Sequence, residues 1–171
     1  MIIDGISENV RKQARYPHEF FLINLITNHI LLFVGLLGMA KQEPWALLIV
    51  PVVSIVILTY LIWRALLSKS RDPWFVFCHW QLCARRSRLF IGMIVLMGLG
   101  IAAILASVGG DVADLRPGHY AIGGMVMLPT LFSVLVLIIM ESDAVHKANI
   151  SDVPEWLIKK FPPPKDIQIN G

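Results

Sequence analysis

His29 stands near the middle of an apolar stretch running from Phe20 to Met39. An ionisable side chain at that depth is a functional hypothesis by default. An imidazole there can ligate haem, contact a quinone, pass on a proton or serve as a neutral hydrogen-bonding group. Bis-histidine haem ligation within one chain needs a second histidine at similar depth. His18, His79 and His146 fall near one end of the predicted helices and His119 near the other, so haem would require a second chain or another axial ligand. Asn24, Thr27 and Asn28 share a helical face with Gly35 and Gly38, because residues three and four apart stack. Such a face can line a pore or a binding cavity. It can equally fix helix packing through interhelical hydrogen bonds worth about 0.6–2 kcal/mol each, and that reading carries more weight. His29, Asn24 and Asn28 are the candidate cofactor-binding residues, with no cofactor identified by them.

A second group of reactive side chains gathers at the basic ends of the segments: His18, Glu19, Cys78, His79, Cys83, Glu141, Asp143 and His146. His79 and Cys83 share a helical face, as do Asp143 and His146. Histidine, cysteine and carboxylate together can hold zinc. Their spacing matches no zinc motif, so no metal is assigned and solvated interfacial residues are the default expectation. Cys78 and Cys83 lie about 140° apart on a helix and in a predicted cytoplasmic loop, where a structural disulfide is not expected.

Other chemistry has no footing. There is no GxxxxGK[ST] phosphate loop, no GxSxG elbow and no HExxH. No carboxylate falls inside a predicted span, and Glu19 lies only at the entrance of the first. Paired cysteines on the predicted periplasmic side are also absent.

The elements that must position these residues are four long apolar segments, at about 19–40, 45–66, 89–109 and 120–140. The chain of 171 residues is 56% hydrophobic and 16% charged, with mean hydropathy +0.68. A soluble domain carries about 25% charge. Each segment can cross roughly 30 Å of hydrocarbon at 1.5 Å per residue. Lipid admits only helices or closed barrels, and strand-like alternation is absent. The expected fold is all-α: an integral membrane bundle of four transmembrane helices, with a short interfacial helix between spans 2 and 3. Residues 1–16 form an amphipathic or partly ordered segment, 17–140 the transmembrane domain and 141–171 a cytoplasmic tail. Pro17 is expected in the first helical turn. The first apolar stretch is too long and too late for a cleaved signal peptide. Lys41-Gln42-Glu43-Pro44 reads as a tight hairpin.

Of the 15 lysines and arginines, all but Lys41 and Arg116 fall on one side of this layout. The positive-inside bias therefore places both termini and the middle loop in the cytoplasm. The sequence pI near 9.0 then reflects topology and anionic headgroups, and no nucleic acid partner is expected. The compact form and the absence of eukaryotic sorting signals point to a bacterial inner membrane.

Several features offer docking surfaces. Gly98, Ala102 and Ala106 recur every four residues in span 3, a helix-packing face serving this chain or another. Asp72-Pro73 predicts a cap and first turn for an interfacial helix over about 73–86, loaded with Trp74, Phe77 and Trp80 and closed by Arg85 and Arg86. With Trp156 in the tail, these are the expected partner- or membrane-facing residues. Pro129 is expected to kink span 4, and Pro162-Pro163-Pro164 to extend the tail. The leading expectation is a non-catalytic accessory, assembly or structural subunit of a larger membrane complex. Its partners would be the lipid bilayer and other membrane subunits, or copies of itself. The alternatives are a redox or quinone/lipid-binding protein using His29 and the span 1 amides, and a small oligomeric channel or transporter.

Overall fold

The computed structural model describes residues 1–39, 42–164 and the backbone of 169–170. Ala40 at the end of the expected first span, Lys41 of the expected hairpin, and Lys165, the three residues after it and Gly171 of the expected tail, lie outside the described residues. Among the described residues the regular structure is helical apart from one short strand pairing. Helix α1 (Glu8–Ile23) passes into a π-helical segment (Asn24–Leu32) and then α2 (Phe33–Leu37). A 3₁₀ turn at Pro44–Leu48 leads into α3 (Ile49–Arg71). Helices α4 (Trp74–Ser107) and α5 (Pro117–Asn149) complete the bundle, followed by the short α6 (Glu155–Lys160). Strand β1 (Ile2–Ile3) pairs antiparallel with β2 (Ile169–Asn170). Four helices are long and apolar enough to cross a membrane: Glu8–Leu37, Trp45–Arg71, Trp74–Ser107 and Pro117–Asn149.

Each of these helices outruns its apolar segment, and the surplus lies mostly at one end. Ser7 caps α1 by accepting from the Val10 amide, so the first helix begins at Glu8 and Pro17 falls inside it rather than in its first turn. The expected interfacial helix is the first part of α4, which runs unbroken for 34 residues. No glycine or proline separates its aromatic start from the apolar run after Arg88, so the backbone has no cause to bend. Asp72 does not cap α4 and instead bonds Arg64 of α3 at 2.8 Å. Helix α5 likewise continues past Glu141 to Asn149 and runs through Pro129.

Burial is concentrated at the end where these extensions meet. Phe75 to Trp80, Leu82, Cys83 and Ala84 of α4 pack with Ala14 and Phe21 of α1 and Ala144 and Ala148 of α5. Toward the other end the helices expose their side chains. Only 11% of the most apolar 18-residue window of α4 is buried. The close approach there is at Gly100, where an added Cβ would lie 2.5 Å from Val126 Cγ1.

The tail closes back on the same packed end. Val153 and Leu157 are fully buried. Trp74 Nε1 donates to the Phe161 carbonyl at 2.9 Å, and Phe161 meets Phe77 edge-on at 5.0 Å between centroids. The N-terminal amine pairs with Asp152, and the Val153 amide donates to the Met1 carbonyl. Both ends of the described chain are thus tied to one end of the bundle.

Candidate functional site

The π-helical segment determines which polar residues face inward. Its backbone bonds reach five residues back, as from the Phe33 amide to the Asn28 carbonyl. The wider turn brings positions four and five apart into line, so Asn24, Asn28 and His29 are buried together while Thr27 is exposed. Gly35 and Gly38 are also exposed. The α-helical expectation of one Asn24–Thr27–Asn28 face fails for that geometric reason. Long π segments are unusual and often mark functional positions.

Ser54 of α3 anchors this segment. Asn24 Nδ2 donates to Ser54 Oγ at 2.9 Å, and His29 Nε2 lies 2.8 Å from the same oxygen. Asn28 Nδ2 donates to Asn24 Oδ1 at 3.2 Å and to the Val50 carbonyl at 2.9 Å. Because Ser54 Oγ accepts from Asn24, its one hydrogen points to His29 Nε2. This assignment follows from the donor inventory. The ring proton then sits on Nδ1, for which no hydrogen-bond partner is present among the described residues.

His29 lines an apolar cavity of about 480 Å³. Phe33, Val50 and Pro51 form one side, Ile94, Gly98 and Ala102 of α4 the floor, and Thr130 and Val134 of α5 the other side. The space exists because α3 and α5 both pack on α4 but not extensively on each other. Gly98 and Ala102 of the small-residue stripe therefore line a cavity. A Cβ built at Gly98 meets nothing within 4 Å, and Ala106 is exposed.

The second constellation lies in the packed end, where α1, α4 and α5 meet. His18 Nδ1 is 2.5 Å from Glu141 Oε2, and His18 Nε2 is 3.0 Å from His79 Nδ1. Arg86 Nη1 donates to Glu141 Oε1 at 3.1 Å and to the Met140 carbonyl at 2.9 Å. Cys83 Sγ donates to the Pro17 carbonyl at 3.4 Å. His18, Cys83 and Glu141 are fully buried and His79 nearly so. The other members of the sequence-defined group are elsewhere. Glu19 pairs with Arg15, Asp143 with Lys147, His146 is exposed, and Cys78 is buried among core residues. His18, His79, Cys83 and Glu141 are therefore core residues, unlike the solvated rim expected for them.

The residues expected to face a partner or the membrane are largely engaged within the chain. Trp80 and Phe77 are buried, and the Arg64 guanidinium lies 4.9 Å over the Trp80 ring. Arg85 stacks 4.6 Å over Trp156, Trp74 bonds the tail and Arg86 holds Glu141.

Sequence reasoning passed over Ser54 and placed Glu141 in a solvated rim instead of the core. Glu141 looked like the end of an apolar stretch, yet Val134, Leu137, Glu141, Ala144 and Ala148 form one buried stripe at helical spacing. Ser54 belongs to a similar stripe from Val50 to Ser68. In both cases the periodicity could have revealed the residue. No protein-family model, curated protein or solved structure matches this chain, so the meaning of both constellations rests on their own geometry.

Proposed function

We propose that this chain is a four-span integral membrane protein that holds a carbonyl-bearing amphiphile, a quinone or an acyl lipid, in the cavity beside His29. The observation that carries the reading is an imidazole lining a largely apolar space, with its Nε2 held by Ser54 and no partner for its Nδ1 among the described residues. A volume of about 480 Å³ is within the usual range for small-molecule sites, which pair apolar walls with a few placed polar groups. A carbonyl oxygen is the natural acceptor for a neutral imidazole N–H. A hydrocarbon chain could leave between α3 and α5 into lipid.

Membrane residence is supported by the four apolar helices. The side-specific distribution of lysine and arginine favours cytoplasmic termini. The outer halves expose Leu96, Leu99, Phe132, Leu135 and Ile139, side chains that suit acyl chains.

Gentle detergent extraction followed by solvent extraction and mass spectrometry tests the ligand. A quinone is identified by its redox difference spectrum and a phospholipid by its phosphate. A bound species retained by the native chain and lost from His29→Leu and Gly98→Leu, both still folded, is the expected result. Recovery of no such species, or equal retention by both variants, would sink the reading.

A second reading, an accessory subunit of a larger assembly, is favoured by the small-residue stripe. Nothing in the described chain contacts a Cβ placed at Gly98, and small residues permit close approach of another helix. Mass measurement in mild detergent decides this. A chain running only as an isolated monomer counts against it.

A further inference from the structure

The packed end offers a different kind of chemistry from the outer cavity. His18 of α1, Cys83 of α4 and Glu141 of α5 each present a ligand-type atom, and the three atoms lie within 4.8 Å of one another. All three side chains are 0% exposed. Imidazole, thiol and carboxylate groups from three separate helices meet here in a hydrophobic core, where unpaired polar groups are costly. We infer that His18, Cys83 and Glu141 form a binding site for a divalent first-row cation of borderline softness, with zinc the best match.

The surroundings support each ligand. Zinc binds nitrogen and oxygen at about 2.0–2.2 Å and sulfur at about 2.3 Å, so tetrahedral donors sit roughly 3.3–3.8 Å apart. Adjustments of about an ångström bring the present atoms to that spacing. The ion takes the place of the proton now shared by His18 Nδ1 and Glu141 Oε2. His18 then ligates through Nδ1, and its Nε2 carries the ring proton toward His79 Nδ1, 3.0 Å away. Arg86 holds the other Glu141 oxygen at 3.1 Å. His79 and Arg86 thus orient the ligands from behind, as outer partners do in protein metal sites. The Cys83 thiol loses its proton to solvent on binding. Thiolate and carboxylate together offset the two charges of the ion, which leaves the partly buried Arg86 guanidinium as the net charge of the site.

The test uses the full chain in detergent. Zinc content is measured after equilibration with zinc and removal of excess. Cobalt and cadmium serve as spectroscopic probes, since each gives a thiolate charge-transfer band. The expected result is about one zinc per chain. The cobalt band should persist in Cys78→Ser and vanish in Cys83→Ser, and Arg86→Gln should weaken binding about 10- to 100-fold. Should Cys83→Ser fail to fold, cadmium titration of Cys78→Ser still decides, because Cys83 is then the only thiol in the chain. A Cys78→Ser protein that gives no thiolate band overturns the site, as does zinc binding unchanged in a folded Cys83→Ser chain.

Discussion

His18 and Glu141 are separated by most of the chain, yet His18 Nδ1 lies 2.5 Å from Glu141 Oε2 with neither side chain exposed. This contact joins the first long helix to the last, and Arg86 of the third completes it. Three helices thereby share one charged hydrogen-bonded unit inside an apolar core. Breaking such a unit from one side strands the remaining groups without partners.

Glu141→Ala should therefore destabilise the protein by roughly 3 kcal/mol or more, because His18 loses its acceptor and Arg86 its carboxylate partner. Replacing the pair together, as Glu141→Leu with Arg86→Met, should cost much less than the sum of the single changes. Thermal unfolding in detergent over the double-mutant cycle checks this. Additive losses would show that the pair is not coupled.

Gly98 and Gly100 should respond oppositely to a methyl group. Gly100→Ala drives a Cβ into Val126 at 2.5 Å and should lower the melting temperature by forcing α4 from α5. Gly98→Ala meets open space and should be neutral, or stabilising by up to about 1 kcal/mol through helix propensity. Melting curves of the two variants side by side decide it.

Asn24→Leu should weaken the join between the first long helix and α3. Asn24 donates to Ser54 and accepts from Asn28. The expected loss is about 0.6–2 kcal/mol in thermal stability. A variant of unchanged stability that instead abolishes flux through reconstituted vesicles would favour the channel alternative.

Asp72 should make a small acid-sensitive contribution. Burial pushes its carboxyl up, but the hydrogen bond from Arg64 and the nearby positive charges outweigh this and hold it below the usual carboxylate range. The depressed folded value means the contribution is complete above about pH 4, the ordinary aspartate value. It is lost as pH falls further through the folded value. Asp72→Asn should flatten the pH dependence of stability in that acid window. The Arg64–Asp72 pair is only partly buried, so the difference should be modest.

The tail should behave as part of the bundle. Leu157 is fully buried, and Phe161 is tied to Trp74 and Phe77. Leu157→Ala should cost about 2–4 kcal/mol and make the segment after Asn149 sensitive to limited proteolysis. Cleavage of the native chain at that segment with equal ease would contradict the packing.

Sequence alone determined the four long apolar helices, because sustained hydropathy over some twenty residues is a local property of the chain. It also singled out His29 and the span 1 amides by their depth. Two other matters needed the tertiary structure. A π-helical turn re-aimed Asn28 and His29 inward and Thr27 outward, a change of a fraction of a turn that an α-helical projection does not contain. Convergence of His18, His79, Cys83 and Glu141 depends on how α1, α4 and α5 dock. Residues more than a hundred positions apart carry no spacing signal for one another. Only packing of the helical extensions, which buries Phe75 to Trp80 and Leu82 to Ala84, brings those side chains into one core.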